Sequence, residues 1–359
     1  MKVLHIINSL NYGGAEKLIV DSLPHYSKLG VSVDLFLLDG SDTKFSELLQ
    51  KSFKGQIFKS TIKNVYSPLN LFELKKVLGQ PYDIVHVHLF PSLYWAALAK
   101  LLFNRKINLV FTEHNTANRR LSNFLFRQID KIIYRQYIKI TAITPEVKNV
   151  LHSKLNIANH KIKVIYNGID IEKFQNSIPY SKDDFFSGED IVILQVSRFE
   201  KQKDQKTLIR SLMYLPDRYK LLLVGNGSLI EESQKLAEQL HLAKRVKFLG
   251  IRMDVGAIMK TASIIVQSSN WEGFGLSAVE GMASRKPLVA SNVAGLSDIV
   301  RDAGLLFTPG NEKELAEHIF HLGENKDFAE QVAAKCEEKS RNYSIEKMVK
   351  EIVMLYKML

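Results

Sequence analysis

The sequence predicts an α/β protein of two doubly wound domains, each a parallel sheet with helices on both faces. Three observations predict it. Short apolar runs alternate with amphipathic segments through the first 167 residues, the same alternation restarts after a break, and the glycine-bearing polar motifs fall just after apolar runs. Strand–helix alternation produces parallel sheets because a parallel crossover needs a covering helix. A chain of 359 residues also exceeds one ordinary core and suits two domains.

In the first half, strand-like runs fall at 3–8, 31–38, 83–88, 109–112, 139–143 and 163–167. Helical patterns occupy 15–29, 69–78, 92–103, 121–137 and 145–155. Periodicity then lapses through Pro179 and Asp183-Asp184, which predicts a linker at 171–188. It resumes with runs at 191–196, 219–224, 246–250, 263–267 and 287–290, separated by helical segments. The organisation expected is a first domain over 1–170, a linker over 171–188, a second domain over 189–340 and a terminal helical segment over 341–359. Ligands of such sheets bind beyond the carboxyl ends of the strands, so two of them joined by a linker predict a cleft.

Hydrophobic residues make up 46% and charged residues 24%, the composition of a globular protein. Cys336 is the only cysteine, which excludes an intrachain disulfide and fits a reducing compartment. Met1-Lys2 leads into an apolar run broken by His5 and Asn8, which reads as a first strand rather than an export signal. The longest uncharged stretch, 84–99, holds His86, His88 and Pro91 and is shorter than a membrane span. A cytoplasmic protein is expected. Residues 1–170 carry 23 basic and 12 acidic side chains, whereas the rest carry 26 of each. The basic excess predicts a polyanionic partner for the first half; the plainer alternative is a solvated surface. Nucleic acid is not expected, because no recognition motif or run of aromatic stacking platforms accompanies the charge.

The most specific motif is Glu272-Gly-Phe-Gly-Leu-Ser-Ala-Val-Glu280, after the run at 263–267. Two side chains eight residues apart on one helix do not share a face, so Glu272 is expected in a loop and Glu280 about a turn into a helix. Gly273 and Gly275 remove the Cβ atoms that would block a ligand, and the helix start offers N–H groups to a diphosphate. Two carboxylates there suit sugar hydroxyls, which would donate to them. A second motif, Ser197-Arg198 to Lys203, follows the first run of the second half. Lys203 near a helix start is disfavoured by the helix dipole, and an anion shared with Arg198 would explain it. A third, Gly13-Gly14-Ala-Glu16, opens the first helix and suits phosphate or an ordinary turn.

Gly225-Asn-Gly227 has Ile230 at the third glycine position of a dinucleotide fingerprint, so a dinucleotide cofactor is not expected. His86 and His88 share one face of a strand, and His114 ends the next. These three could hold zinc, but no metal is expected, since no fourth ligand or outer shell is identifiable. His114 is better placed at the mouth of a sugar site, and His86 as a satisfied core histidine. Between Arg119 and Lys139 lie six basic residues, Arg119, Arg120, Arg127, Lys131, Arg135 and Lys139, against Asp130 alone. Phe124, Leu125, Ile129, Ile132, Ile133 and Tyr137 are interleaved at helical spacing, which predicts either a basic amphipathic membrane surface or a helix packed on its sheet.

Together these segments resemble the retaining GT-B glycosyltransferases of family GT4. The resemblance runs in order through Gly13-Gly14-Ala-Glu16, Thr112-Glu-His114-Asn, Tyr166-Asn-Gly168-Ile-Asp170, Ser197-Arg198 with Lys203, Gly225-Asn-Gly227, Phe248-Leu-Gly250, Glu272 to Glu280 and Lys286-Pro287. It implies two Rossmann-like domains across a cleft, with the C-terminal helix returning to the first, acceptor-binding domain. It implies that Arg198 and Lys203 grip the donor diphosphate with the Gly14 backbone, that Glu272 meets the sugar beside Phe274, Gly275 and Leu276, that Glu280 binds ribose, and that His114 lies beside the transferred sugar. Gly225, Gly227 and Gly273 complete the donor set. Gly281, Ser284-Arg285 and Asn311 depart from the family pattern and read as helix-packing and turn changes.

Without an Asp-x-Asp pair, a metal-independent reaction is expected, with no cofactor. The expected donor is a nucleotide-diphosphate sugar, UDP first and GDP second. The acceptor is a glycan or polyprenyl-linked glycan in cell-surface polysaccharide biosynthesis, reached at an anionic membrane's inner face through Arg119, Arg120, Arg127 and Lys131. Alternatives are transfer to a small soluble acceptor, a nucleotide-sugar epimerase of the same shape, and a non-catalytic sugar-nucleotide-binding protein.

Overall fold

The computed structural model describes residues 1–115, 120 and 123–359. They form two compact units, Met1–Gly168 with Ile345–Leu359, and Ile169–Ser344. The first unit is built on seven parallel strands: β1 (Lys2–Ile7), β2 (Ser32–Leu37), β3 (Ile57–Lys59), β4 (Ile84–His88), β5 (Leu109–Glu113), β6 (Lys139–Ala142) and β7 (Ile162–Val164). Their order is β3-β2-β1-β4-β5-β6-β7, so the winding reverses between β1 and β4. Strands β4 and β5 are buried throughout, as expected of a sheet covered on both faces. Register sets His5 beside His86, and His88 beside Thr112 and then Thr141, which lines polar side chains along one face of an otherwise apolar sheet.

Local chemistry fixes the helices. Thr43 and Ser46 form a reciprocal capping box on Lys44–Ser52, and Thr144 caps Pro145–Leu155, whose first residue is proline. The terminal helix Ile345–Tyr356 packs on Gly14–Tyr26, with the Tyr26 and Tyr356 rings stacked 6.3 Å apart. The return of the C-terminal helix to the first unit is therefore as expected.

The second unit carries six parallel strands: β8 (Ile191–Val196), β9 (Tyr219–Val224), β10 (Val246–Phe248), β11 (Ile264–Gln267), β12 (Leu288–Ser291) and β13 (Leu305–Phe307). Their order is β10-β9-β8-β11-β12-β13, with the reversal between β8 and β11. Residues 171–188, expected as a linker, belong to this unit instead. Asp170 caps the helix Ile171–Gln175, Phe174 and Phe185 are buried, and the Tyr180 hydroxyl donates to Asp254 at 2.6 Å. Two buried aromatic rings anchor a stretch whose lapsed periodicity had suggested free chain. The terminal segment divides as well: residues 341–344 stay with the second unit, and only Ile345–Leu359 joins the first.

Candidate active site

In the second unit, the loops after β8 and β11 lie at the reversal of strand order, where doubly wound sheets take their ligands. Arg198 follows β8, with its guanidinium 3.2 Å from Glu200 and its side chain 54% exposed. Gln205 secures this loop by donating to Ser197 Oγ and to the Arg198 carbonyl, both at 2.9 Å. Asp204 caps the helix Gln205–Ser211 by accepting from the Thr207 amide.

Across the reversal, Glu272 sits in the loop after β11, as expected. Its Oε2 is ion-paired with Lys203 and its Oε1 accepts from Gln202 at 3.3 Å. The Lys203 and Glu272 side chains are only 13% and 10% exposed, so this is a sheltered pair rather than a surface one. Contrary to the expectation from sequence, Lys203 needs no bound anion to explain its place, because Glu272 supplies the negative charge. Arg198 likewise has Glu200.

Gly275 precedes the helix Leu276–Ala283 at φ 89° with no side-chain cap, so the N-terminal amides meet no capping side chain. A Cβ at this position would lie 2.7 Å from Leu296 Cδ1. Glu280 is a turn into the helix and buried. Phe274 departs from its expected place beside a sugar. Its side chain is buried edge-on against Tyr343, 5.5 Å away, so only its backbone could meet a ligand. Nor is Gly273 among the positive-φ glycines. The close approach to this loop comes from Gly295, beyond β12, which no sequence pattern marked; a Cβ there would sit 2.4 Å from the Glu272 carbonyl.

Gly225 and Gly227 adopt φ 134° and 157°, and Cβ atoms on them would come within 2.0 Å of the Ser197 carbonyl and 2.4 Å of the Phe199 carbonyl. These glycines press the loop after β9 against the loop that carries Arg198. The departures from family pattern are structural. Gly281 lies against Ile265, Arg285 pairs with Glu330, and Asn311 caps Glu312–Glu324.

In the first unit, Gly14 opens the helix Gly14–Tyr26 after the loop that follows β1, and the Glu16 carboxylate folds back over Gly13, close to where a Cβ would stand. His114 follows β5, with its Nε2 3.4 Å from His88 Nδ1. Burial lowers the His114 pKa to about 4 and that of His5 to about 3, and it holds His86 and His88 well below the ordinary histidine range. His5, His86 and His88 bring one ring nitrogen each within 4.8 Å of one another, but both nitrogens of each ring already have hydrogen-bond partners. A cavity of about 20 Å³, room for roughly one water, is lined by His88, Thr112, His114, Thr141 and Asn167 among others.

Of the basic stretch, Arg119 lies outside the described residues. Arg120 is not a solvated surface cation: its Nε is 3.4 Å from the fully buried Asp130 and its guanidinium covers the Phe90 ring at 4.1 Å. The helix runs over Phe124–Arg135, with Ile133 buried inside it and Tyr137 buried beyond its end. Phe124, Leu125 and Ile132 are instead 67%, 67% and 56% exposed, on a helix that also carries the part-exposed Arg127 and Lys131. The apolar stripe therefore faces solvent over most of its length.

Two Rossmann-like sheets with this strand order, and with charged loops gathered at the second sheet's reversal, define the GT-B class of α/β enzymes. Residues 12–173 match the family described as Glycosyltransferase Family 4, and residues 179–342 match Glycosyl transferases group 1. The chain belongs to this family and is a glycosyltransferase. It is 28% identical over 352 residues to the uncharacterized glycosyltransferase MJ1178 of Methanocaldococcus jannaschii, covering 93% of this chain and 95% of that one. It is 26% identical to the UDP-Gal:alpha-D-GlcNAc-diphosphoundecaprenol alpha-1,3-galactosyltransferase of Escherichia coli, over 68% of this chain and 66% of that one. Among solved structures, Anabaena Alr3699/HepE in complex with UDP and glucose superposes with TM-score 0.88 at 23% identity, over 100% of both chains.

Proposed function

We propose that this enzyme is a retaining, metal-independent glycosyltransferase that moves a sugar from a UDP-sugar, with GDP-sugar as the second choice, to a lipid-linked glycan in cell-surface polysaccharide synthesis. The observation that carries the reading is the convergence at the β8/β11 reversal. Arg198, Lys203, Glu272 and Glu280 gather there, around glycines whose positive φ and lack of a Cβ let three loops close on one another. Breaking the anomeric bond leaves negative charge on the diphosphate, and fixed cations and helix N–H groups stabilise such charge where it develops. In this reading the diphosphate takes over Lys203 from Glu272, freeing that carboxylate to accept from sugar hydroxyls. Glu280 accepts from the ribose, the Gly14 backbone assists at the diphosphate, and His114 attends the transferred sugar. The UDP preference is supported by the relative named for a UDP-galactose donor and by the structural neighbour holding UDP.

The membrane side of the reading rests on the helix Phe124–Arg135. Its exposed apolar residues Phe124, Leu125 and Ile132 lie on a helix held to Ser92–Phe103 where the Tyr94 hydroxyl donates to Asp130 at 2.6 Å, and Leu101 and Leu102 of that second helix are exposed as well. No helix of the described residues is long and apolar enough to cross a membrane, so docking would be peripheral.

A panel of nucleotide-sugars scored by thermal shift tests the donor. A ligand at 100 times its Kd adds about 2.7 kcal/mol of stability, enough for a clear rise in Tm. A rise with one UDP-sugar is expected. Equal silence from every UDP- and GDP-sugar would sink the donor assignment. Turnover of donor without acceptor would favour the epimerase alternative.

A further inference from the structure

Through the polar core of the first unit runs a chain of hydrogen bonds that joins the terminal helix to His114. It starts at the Phe111 carbonyl, 3.4 Å from Thr141 Oγ1. Thr141 Oγ1 is 2.6 Å from Thr112 Oγ1, which is 2.7 Å from His86 Nε2. His86 Nδ1 meets the Tyr356 hydroxyl, whose oxygen lies 3.4 Å from His5 Nε2. His5 Nδ1 is 3.1 Å from His88 Nε2, and His88 Nδ1 is 3.4 Å from His114 Nε2.

The direction of every proton follows from the first link. A carbonyl only accepts, so Thr141 donates to Phe111 and Thr112 donates to Thr141. Thr112 has then used its proton, so His86 Nε2 must carry an N–H. The burial-depressed pKa values keep all four imidazoles neutral at neutral pH, and a neutral ring has one N–H and one lone pair. His86 Nδ1 therefore accepts from Tyr356. The Tyr356 oxygen accepts from His5 Nε2–H, His5 Nδ1 accepts from His88 Nε2–H, and His88 Nδ1 accepts from His114 Nε2–H. Reversing every proton preserves all links except the one to the carbonyl, so the forward polarity has one hydrogen bond more.

We propose that Tyr356 is a positioning residue that fixes His114 as the Nε2–H tautomer and leaves His114 Nδ1 as a bare acceptor. His114 Nδ1 has no protein partner among the described residues. On the reading of His114 as the sugar-side residue, it then takes a hydrogen bond from a sugar hydroxyl. A carboxylate or phosphate at that position would meet a lone pair instead, so the proposal selects a neutral, hydroxyl-bearing sugar over an anionic one.

Histidine labelled with ¹⁵N reports the tautomer directly, because a bare ring nitrogen resonates far downfield of an N–H nitrogen. His114 is assigned by the signal lost in His114→Gln. The full-length protein near neutral pH should show His114 wholly as Nε2–H. In Tyr356→Phe, His5 loses its acceptor and His86 its donor, so nothing orients the His5–His88–His114 segment and a readily measured Nδ1–H fraction should appear. Thr141→Val keeps the residue's shape and removes only the anchor. It should give the same mixture, and it serves where Tyr356→Phe does not fold. Wild-type His114 as Nδ1–H or as imidazolium overturns the proposal, and so does unmixed Nε2–H in both variants. The sugar-side reading fails separately: a His114→Gln enzyme with unchanged kcat and KM for its donor would remove it while leaving the tautomer result intact.

Discussion

Lowering the pH from about 7 to about 5 tests the buried imidazoles of the first unit. Histidine titrates at 6.5 when unperturbed, whereas burial brings His5 to about 3 and His114 to about 4 in the folded protein. Folded-state values below the unfolded value mean that the unfolded chain binds more protons. Stability is therefore full above pH 6.5 and is lost as the pH falls toward the folded values. At about pH 5 the unfolded rings are protonated and the folded ones are not. Each ring then costs close to 1.5 pH units of proton binding, about 2 kcal/mol, so His5 and His114 together remove about 4 kcal/mol. His86 and His88 act with the same sign. Glu113 opposes them, because burial raises its carboxyl pKa and it gains a proton more readily when folded. With a urea dependence of about 1–3 kcal/mol per molar, the midpoint should drop by on the order of 2 M. The two tryptophans, Trp95 and Trp271, fall one in each unit. Trp271→Phe thus leaves Trp95 reporting the first unit alone, where its Nε1 donates to the Val65 carbonyl at 2.7 Å. A Trp95-detected midpoint that stays constant between the two pH values would refute the picture of neutral, desolvated rings.

Arg198→Ala and Lys203→Ala should each lower turnover by on the order of 10²-fold, as loss of one charge stabiliser does elsewhere, while a chelator leaves the rate alone; full activity in Lys203→Ala, or inactivation by EDTA, contradicts the assignment. Glu280→Ala should weaken binding of the free nucleotide, whereas Glu272→Ala should spare it and lose affinity or rate for the sugar-bearing donor; calorimetry with UDP and with the UDP-sugar separates them, and equal losses on UDP would count against the division of roles. The protein should sediment with anionic but not neutral vesicles at low salt, since each basic side chain near such a surface contributes about 1 kcal/mol. Phe124→Ser with Leu125→Ser should abolish this, and binding that persists in the double variant places the contact elsewhere.

Most of both sheets was legible because buried parallel strands read as unbroken apolar runs, such as Ile191–Val196 and Tyr219–Val224. The edge strands Ile57–Lys59 and Leu305–Phe307 were not, whereas Ile162–Val164 and Val246–Phe248, equally short, were, so length alone does not separate them. Glu272, Glu280, Arg198 and Lys203 stood out by charge and spacing next to strand ends. The Lys203–Glu272 pair did not, because it spans 69 residues and no local pattern encodes it. Gly295 belongs to none of the motifs, although its lack of a Cβ is set by the Glu272 carbonyl. His5 gave a usable signal, a polar residue inside an apolar strand, but it was read only as an interruption. Tyr356 gave none, being one more residue on the buried stripe of an amphipathic helix.

The helix Ile345–Tyr356 makes the first unit a discontinuous object in the chain. Tyr356 and His86 are 270 residues apart, and everything between Gly168 and Ile345 is spent building the other unit. On the ribosome the seven strands of the first sheet emerge long before the segment that covers Gly14–Tyr26. The second unit, contiguous from Ile169 to Ser344, can complete itself first. Until Ile345–Tyr356 arrives, the imidazoles of β1 and β4 lack their tyrosine, and the apolar flank of the first helix stays open to water or to a chaperone. The two units are thus ordered in time by sequence position, with the one begun first finished last.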